Sequence, residues 1–360
     1  MPLIKLLLPV GISFYTFQTI SYLADCYFLK IKKTPSFLDY TLYVSFFPKL
    51  ISGPIIKSYE FLSQTKKAVV INKSFIWKAI ILIFFGLFKK IVFANNLSPF
   101  VDNIFTNYSI QNGVTLIVGA YAYAIQIYCD FSGYTDIAIG VAMLFGYLLP
   151  NNFNYPYLAD SPGDFWKRWH ISLSQWFKEY VYIPLGGNRI GELITYRNIF
   201  FVMLLTGIWH GASWNFILWG IYLVLLSVGY KYFNFIGKYF EKIPALLRKI
   251  LSVFIMLQFT VIGWIIFRSN NLQSVKLFIF RIINNTNLSD FKKIYIENEM
   301  ILILISIFII YNLMRIKFDF KKNIISQKFN PLAMTIVIIG LFIAMILNPS
   351  DSSQFIYFKF

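Results

Sequence analysis

Two histidines, His170 and His210, are the only imidazoles in the chain, and both fall within one stretch, Asp164 to Gly220, that also carries six of the eight tryptophans. An imidazole titrates near neutrality, so it can take and return a proton under cellular conditions. His210 sits in GIWHGASWNFILWG. There Trp209 precedes it, Gly211 and Ala212 allow a backbone or a substrate to come close, and Ser213 and Asn215 supply hydrogen-bonding groups. His170 follows Trp169 in DFWKRWHISLSQWFKEYVYIPLGGNR. Each histidine also has a plain reading as a satisfied buried side chain, and for His170 the choice between support and direct chemistry stays open. Arg189, after the glycine pair 186–187, is placed to meet an anion, although a simple tight turn explains the same residues.

The element that must carry His170 reads as an amphipathic helix over Asp164–Tyr180. At 100° per residue, Trp166, Trp169, His170, Leu173, Trp176, Phe177 and Tyr180 share one face, with Lys167, Arg168, Ser172, Gln175, Lys178 and Glu179 opposite. Such a helix suits a membrane interface. The preceding LLPNNFNYPYLADSPGD implies irregular backbone, with a helix start near Ser161–Asp164.

Hydrophobic residues make up 58% of the 360 and charged residues 14%, against roughly 45–50% and 25% in soluble domains. The chain is therefore expected to be an all-α polytopic integral membrane protein, a single transmembrane domain over 1–360. Apolar runs cover 2–23, 37–56, 74–94, 113–129, 131–149, 198–208, 212–230, 250–267, 300–314 and 331–347, giving eight to ten membrane helices plus re-entrant and interfacial pieces. In 42–56, Pro48, Lys49, Gly53 and Pro54 interrupt an apolar run. Freed carbonyls at membrane depth must be covered, so this run is expected to re-enter or to line a cavity.

The net charge of +17 is spread over short loops and excludes a nucleic-acid patch. Basic loops 57–73, 231–249 and 315–328 are assigned to the cytoplasm, leaving 95–112, 268–299 and the C-terminal tail outside. Arg268, Lys276, Arg281, Lys292 and Lys293 weigh against the placement of 268–299. Asp130 and Asp136, in apolar surroundings, read either as a proton relay or as carboxylates bridging helices. Cys26 and Cys129 offer no disulfide framework, and no metal-ligand spacing is present.

Taken together, DFWKRWHISLSQWFKEYVYIPLGGNR and GIWHGASWNFILWG resemble the membrane-bound O-acyltransferase (MBOAT) superfamily, in its bacterial AlgI/PatA-type branch of alginate and peptidoglycan O-acetylation proteins. PVGISFYTFQTISYLAD, LYVSFFPKLISGPI, YCDFSGYTDIAIG, NFNYPY and FIYFKF extend the likeness over nearly the whole chain, and PLGGNR favours the acetylation branch over the D-alanyl transferase branch. The resemblance implies that His210 is catalytic and lines a tunnel through the membrane, with His170 supporting it. It implies acetyl-CoA as donor substrate with no bound cofactor, a polysaccharide acceptor, a periplasmic SGNH-type acetyltransferase partner, and a multi-pass place in the bacterial inner membrane. The family usually carries further helices before PVGISF, which this sequence is expected to lack.

On that reading His210 is the base for acetyl transfer from a thioester to a hydroxyl. Ser213, Asn215 or backbone N–H groups stabilise the oxyanion, Trp209 and Trp169 line the path, and Lys167, Arg168 and Arg189 attract the phosphates of the donor. Tyr357, between phenylalanines in the tail, is a candidate acyl relay, with a packing anchor as the alternative. Two other readings of the chain are a transporter or flippase using buried His and Asp as a proton relay, and an inactive scaffold subunit.

Overall fold

The structure, a computed structural model, describes residues 11–31, 35–67, 73–236, 243–287, 289–314 and 331–347. Tyr357, the basic loop 315–328 and the first part of the run 2–23 lie outside the described residues. Every regular element among the described residues is helical.

The centre is α7, Gly113–Leu144, whose side chains are buried along most of its length. The sequence predicted two spans here, 113–129 and 131–149. They form one helix of 32 residues, about 48 Å long at 1.5 Å per residue. The apparent boundary at Asp130 is a buried ion pair: Lys90 meets Asp130 at 2.6 Å, and Lys89 meets Asp136 at 2.5 Å and Ser132 at 3.0 Å. A charge that is paired inside the protein no longer forces the helix to end. This arrangement uses both carboxylates as bridges between helices, the alternative to the proton relay.

The lysines stand on a π-helical turn, Lys89–Asn95, between α5 (Lys73–Phe88) and α6 (Asn96–Thr106). α5 lies against α7 through glycines. A Cβ at Gly133 would stand 2.8 Å from the Gly86 carbonyl oxygen, and one at Gly140 would stand 2.6 Å from that of Ala79. Only small residues permit backbones this close.

The N-terminal part begins with α1, Ile12–Tyr27. The predicted re-entrant run resolves into α2 (Phe37–Ser45), a four-residue α3 (Phe47–Leu50) and buried non-helical backbone through Ile56. Lys49 is fully buried there. Its ammonium donates to Gln18 Oε1 at 2.6 Å and to the Tyr43 carbonyl, and lies 4.0 Å from the Tyr43 ring centroid. α4, Ser58–Thr65, then returns toward the far end of α7, where Leu148 N–H donates to Gln64 Oε1.

The predicted single helix Asp164–Tyr180 is broken. It consists of α8 (Pro162–Trp166), a turn, α9 (Ile171–Phe177) and a π turn, Lys178–Tyr182. The break falls on His170, whose φ of 42° and ψ of 52° are left-handed, a region costly for any residue with a Cβ. Ser172, placed on the polar face by the helical count, is consequently buried.

α10 (Glu192–His210) and α11 (Trp214–Ile236) form a tight hairpin in which a Cβ on Gly207 would meet the Phe216 carbonyl oxygen at 2.4 Å. α12 (Ala245–Arg268), α13 (Leu272–Asn284), α14 (Asp290–Glu297), α15 (Glu299–Met314) and α16 (Pro331–Leu347) follow.

Among the described residues three helices, Gly113–Leu144, Trp214–Tyr232 and Ala245–Arg268, are individually long and apolar enough to cross a membrane, or four if α14 and α15, bent by 94°, form one broken span. This is fewer than the eight to ten expected. Two runs fused into α7, the run 37–56 broke at Phe46–Pro48, and α1, α5, α15 and α16 have 16 or 17 residues each.

The two ends of α7 carry different loops. At its start, Gly113 N–H donates to Asn285 O, Arg281 donates to Gln111 O, and Arg268 pairs with Asp102 at 2.6 Å. Residues 58–67 and 144–148 meet at the other end. Of the loops assigned to opposite sides from charge alone, 58–67 thus lies at one end of α7, and 95–112 with 268–287 lies at the other.

Candidate functional site

His210 is the last residue of α10 and is 8% exposed. Four rings surround it: Trp209 at 4.7 Å between centroids, Phe267 at 4.9 Å, Trp219 at 5.3 Å and Phe216 at 6.2 Å. Gly211 ends the helix with φ 155° and ψ 161°, backbone that is essentially reserved for glycine. It thereby turns the chain directly after the histidine and lets α11 start with Phe216 against the imidazole.

Ser213 and Asn215 form the corner of this turn. The Ser213 hydroxyl donates to Asn215 Oδ1, and Asn215 Nδ2 donates to Ser269 O at 2.8 Å, beyond the end of α12. Their polar groups therefore pin α11 to α12, which places Phe267 on His210. Trp209 meets His170 as well, at 6.2 Å between centroids, so one indole touches both histidines. Trp209 also packs on Phe17 of α1 at 5.5 Å.

His170 is 1% exposed and stands edge-on to Phe131 of α7 at 4.8 Å. Its Nδ1 lies 3.2 Å from Asn152 Oδ1. Asn152 belongs to the irregular segment before α8 and is 1% exposed. Its backbone carbonyl accepts from Ile171 N–H at 3.0 Å, while its side-chain oxygen accepts from Ser172 N–H at 3.1 Å and from the Ser172 hydroxyl at 2.9 Å. The same hydroxyl accepts from Ile55 N–H at 2.9 Å, which joins the re-entrant backbone to the histidine. The sequence reading missed Asn152 and Ser172; the only signal was the polar density of the NNFN run. Trp169, next to His170, packs into the core against Trp264 at 4.8 Å and Phe153 at 5.0 Å.

The predicted cations have different settings. Arg168 is held by Asp164 at 2.7 Å, Lys167 is exposed, and Arg189 is exposed on the turn whose glycines have φ of 101° and 57°. That turn is fastened by Asn198 Nδ2, which donates to Gly187 O at 2.9 Å.

A basic group that sequence reasoning did not assemble lines an open cavity of about 940 Å³: Lys30, Lys57 and Lys178, with Glu179, Gln175 and Pro184. Glu179 accepts from both Lys30 and Lys57. Burial pushes its carboxyl up, but these two hydrogen bonds outweigh that and hold it below the usual range. Asp25, fully buried beneath, accepts from Ser58 at 2.6 Å and from Tyr180 at 2.9 Å. An apolar cleft lined by Trp166, Tyr222, Met256, Phe259 and Trp264 opens on Trp219, one of the rings that cage His210.

Comparison with known proteins adds the following. The family model described as MBOAT, membrane-bound O-acyltransferase family, matches residues 29–274, which include both histidines. A peptidoglycan O-acetyltransferase of Helicobacter pylori is 41% identical over 298 residues, 75% of this chain and 56% of that protein. A probable alginate O-acetylase AlgI of Pseudomonas aeruginosa is 40% identical over 274 residues, covering 75% and 51%. A teichoic acid D-alanyltransferase of Bacillus subtilis is 29% identical over 271 residues, covering 72% and 68%. The chain thus spans about half the length of the first two relatives.

Proposed function

The chain belongs to the membrane-bound O-acyltransferase family, and from that premise we propose that it is an O-acetyltransferase component that moves acetyl groups from acetyl-CoA toward a polysaccharide outside the cell. The observation that carries the reading is the pair of buried histidines joined through Trp209, with His210 caged by rings at a glycine turn. A neutral imidazole in a dry apolar cage is a proton acceptor, and Gly207 and Gly211 leave backbone rather than side chains beside it.

In the proposed reaction a hydroxyl oxygen attacks the thioester carbonyl while His210 takes the hydroxyl proton. A C–O bond forms, the carbonyl oxygen carries the transient negative charge, and the C–S bond then breaks. The imidazolium returns its proton to the departing thiolate, so the products are the acetyl ester and the free thiol. With Ser213 and Asn215 engaged at the α11–α12 corner, the oxyanion donors on this reading are backbone N–H groups at the turn after His210.

The donor's phosphates are assigned to the lysine-lined cavity of Lys30, Lys57 and Lys178 together with exposed Arg189. That end of the molecule carries residues 57–67 of a basic loop and is cytoplasmic on this reading. Lys167 and Arg168 are secondary contacts, and Trp169 serves by supporting His170. The acceptor end, with the Arg268–Asp102 pair, then faces the periplasm, where an SGNH-type transferase is the proposed partner and Tyr357 a proposed acyl relay. The location on this reading is the bacterial inner membrane. The acceptors in the relatives' names, peptidoglycan and alginate, support a polysaccharide as the acceptor.

The test is acetyl transfer from radiolabelled acetyl-CoA in inverted membrane vesicles. His210→Ala should insert at wild-type level, retain acetyl-CoA binding and lose transfer. Transfer that persists in His210→Ala overturns the assignment, and wild-type vesicles that bind the donor without turnover identify a scaffold instead.

A further inference from the structure

One buried polar atom next to the proposed base has no assignment in this mechanism. His170 Nε2 is enclosed and has no hydrogen-bond partner among the described residues, although buried polar atoms are normally satisfied. The other side of the same ring is fixed. Asn152 presents an atom that receives Ser172 N–H at 3.1 Å and the Ser172 hydroxyl at 2.9 Å, and a backbone N–H has no acceptor capacity. That atom must be the amide oxygen, because a rotated amide would set N–H against N–H. The Ser172 hydroxyl is committed in the same direction, since its oxygen receives Ile55 N–H while its proton goes to Asn152.

With an oxygen 3.2 Å from His170 Nδ1, a lone pair on that nitrogen would face another lone pair. Nδ1 must therefore carry the proton, and in the neutral ring Nε2 carries the lone pair. The cost of the arrangement is visible twice. His170 is a non-glycine residue in left-handed backbone, and Asn152 Nδ2 is itself buried without a partner. Strain and unsatisfied groups of this kind collect where a site needs one orientation. The irregular segment enforces it, with Asn154 N–H donating to Arg168 O at 2.8 Å and Ile171 N–H donating to Asn152 O at 3.0 Å, one contact on each side of His170.

We propose that Asn152 is a positioning residue that locks His170 as the Nδ1–H tautomer, so that Nε2, a lone pair buried beside Trp209, receives the hydrogen bond of a hydroxyl group in the reaction path. This rests on the acyl-transfer reading for the identity of the hydroxyl, whereas the tautomer stands on the geometry alone. His170 then orients or relays the proton of the alcohol, and His210 remains the group at the thioester.

The chain holds two histidines, which makes ring nitrogens separable by NMR. The full-length protein, labelled with ¹⁵N-histidine and reconstituted in nanodiscs, is measured at pH 8, with His170→Gln used for assignment. The expected result is one ring with a protonated Nδ1 and a bare Nε2. Asn152→Ala should move that ring toward the Nε2–H form and lower kcat by about tenfold or more, the usual cost of losing such an orienting partner, with the KM for acetyl-CoA little changed. Asn152→Asp, which keeps the accepting oxygen, should retain the Nδ1–H tautomer and guards against a variant that simply fails to fold. An Nε2–H ring in the wild type, or an unchanged tautomer in folded Asn152→Ala, overturns the proposal. A shifted tautomer with unchanged kcat overturns the positioning role. If His210→Ala keeps full transfer while the wild-type ring is Nδ1–H, the functional reading fails and the tautomer assignment survives.

Discussion

Replacing Gly211 by alanine adds one methyl group at the turn that follows His210, and two costs can be worked out for it. The backbone there, φ 155° and ψ 161°, is nearly exclusive to glycine, and holding another residue in such a region costs about 1–3 kcal/mol. The new Cβ would also stand 2.7 Å from Cε2 and 3.0 Å from Cδ2 of Phe216. That ring is 6% exposed and packs against Phe267 at 5.1 Å, so it has little room to retreat. Overpacking of this sort costs about 1–3 kcal/mol. Gly229 of α11 is the control, since a Cβ there meets nothing within 4 Å and a helical Gly→Ala change is neutral or favourable by up to about 1 kcal/mol. Gly211→Ala should therefore unfold at a temperature several degrees below wild type in detergent and lose acetyl transfer, because Phe216 is one of the rings around the imidazole. Gly229→Ala should match or exceed the wild type. Equal melting temperatures and equal transfer for the two variants would refute the reasoning.

Two further outcomes follow from charged contacts. Lys89→Ala removes the ammonium that meets Asp136, which is 2% exposed, and breaking a buried pair of this kind costs about 3–5 kcal/mol. The double variant Lys89→Ala/Asp136→Ala should recover much of it in a thermal-unfolding cycle, and a double variant as unstable as the sum of the singles would show that the pair does not bind α7 to the π turn. Glu179, held below its ordinary range by Lys30 and Lys57, contributes stability above the unfolded carboxyl value of about 4.3. That contribution is lost as the pH falls through the lower folded value. Glu179→Gln should flatten the acid limb of a stability-against-pH curve by lowering the neutral plateau while leaving the acid end changed little; an unaltered acid limb would count against the clamp.

How far the sequence reveals this site depends on whether a residue acts through its own neighbours in the chain or through distant ones. The surroundings of His210 are legible because Trp209, Gly211, Phe216 and Trp219 lie within ten residues of it. Local order fixes which groups come together. Phe267 was not legible, since it arrives only when Asn215 fastens α11 to Ser269. The Asp164–Tyr180 segment misled for the same reason. Its apolar residues do repeat at helical spacing, and that spacing says nothing of an asparagine 18 residues upstream of His170 that captures Ile171 and Ser172 and bends the helix at the histidine. Asp130 shows the converse. A carboxylate in an apolar run looked like a boundary between two spans, and the lysine that removes the boundary sits on another helix.

These cases share a physical cause. In a mostly apolar chain the helices are specified locally by composition, but the few polar groups must find partners wherever the fold brings them, and those partners are mostly far away in sequence. Asn152, Ser172 and Ile55 join three separate segments at His170, and Asn215 with Ser269 joins two more at His210. The motifs supply the imidazoles. The orientation of His170 comes from irregular backbone outside its motif, at Asn152 and Ile55, and a variant there can turn that ring while both histidines remain in place.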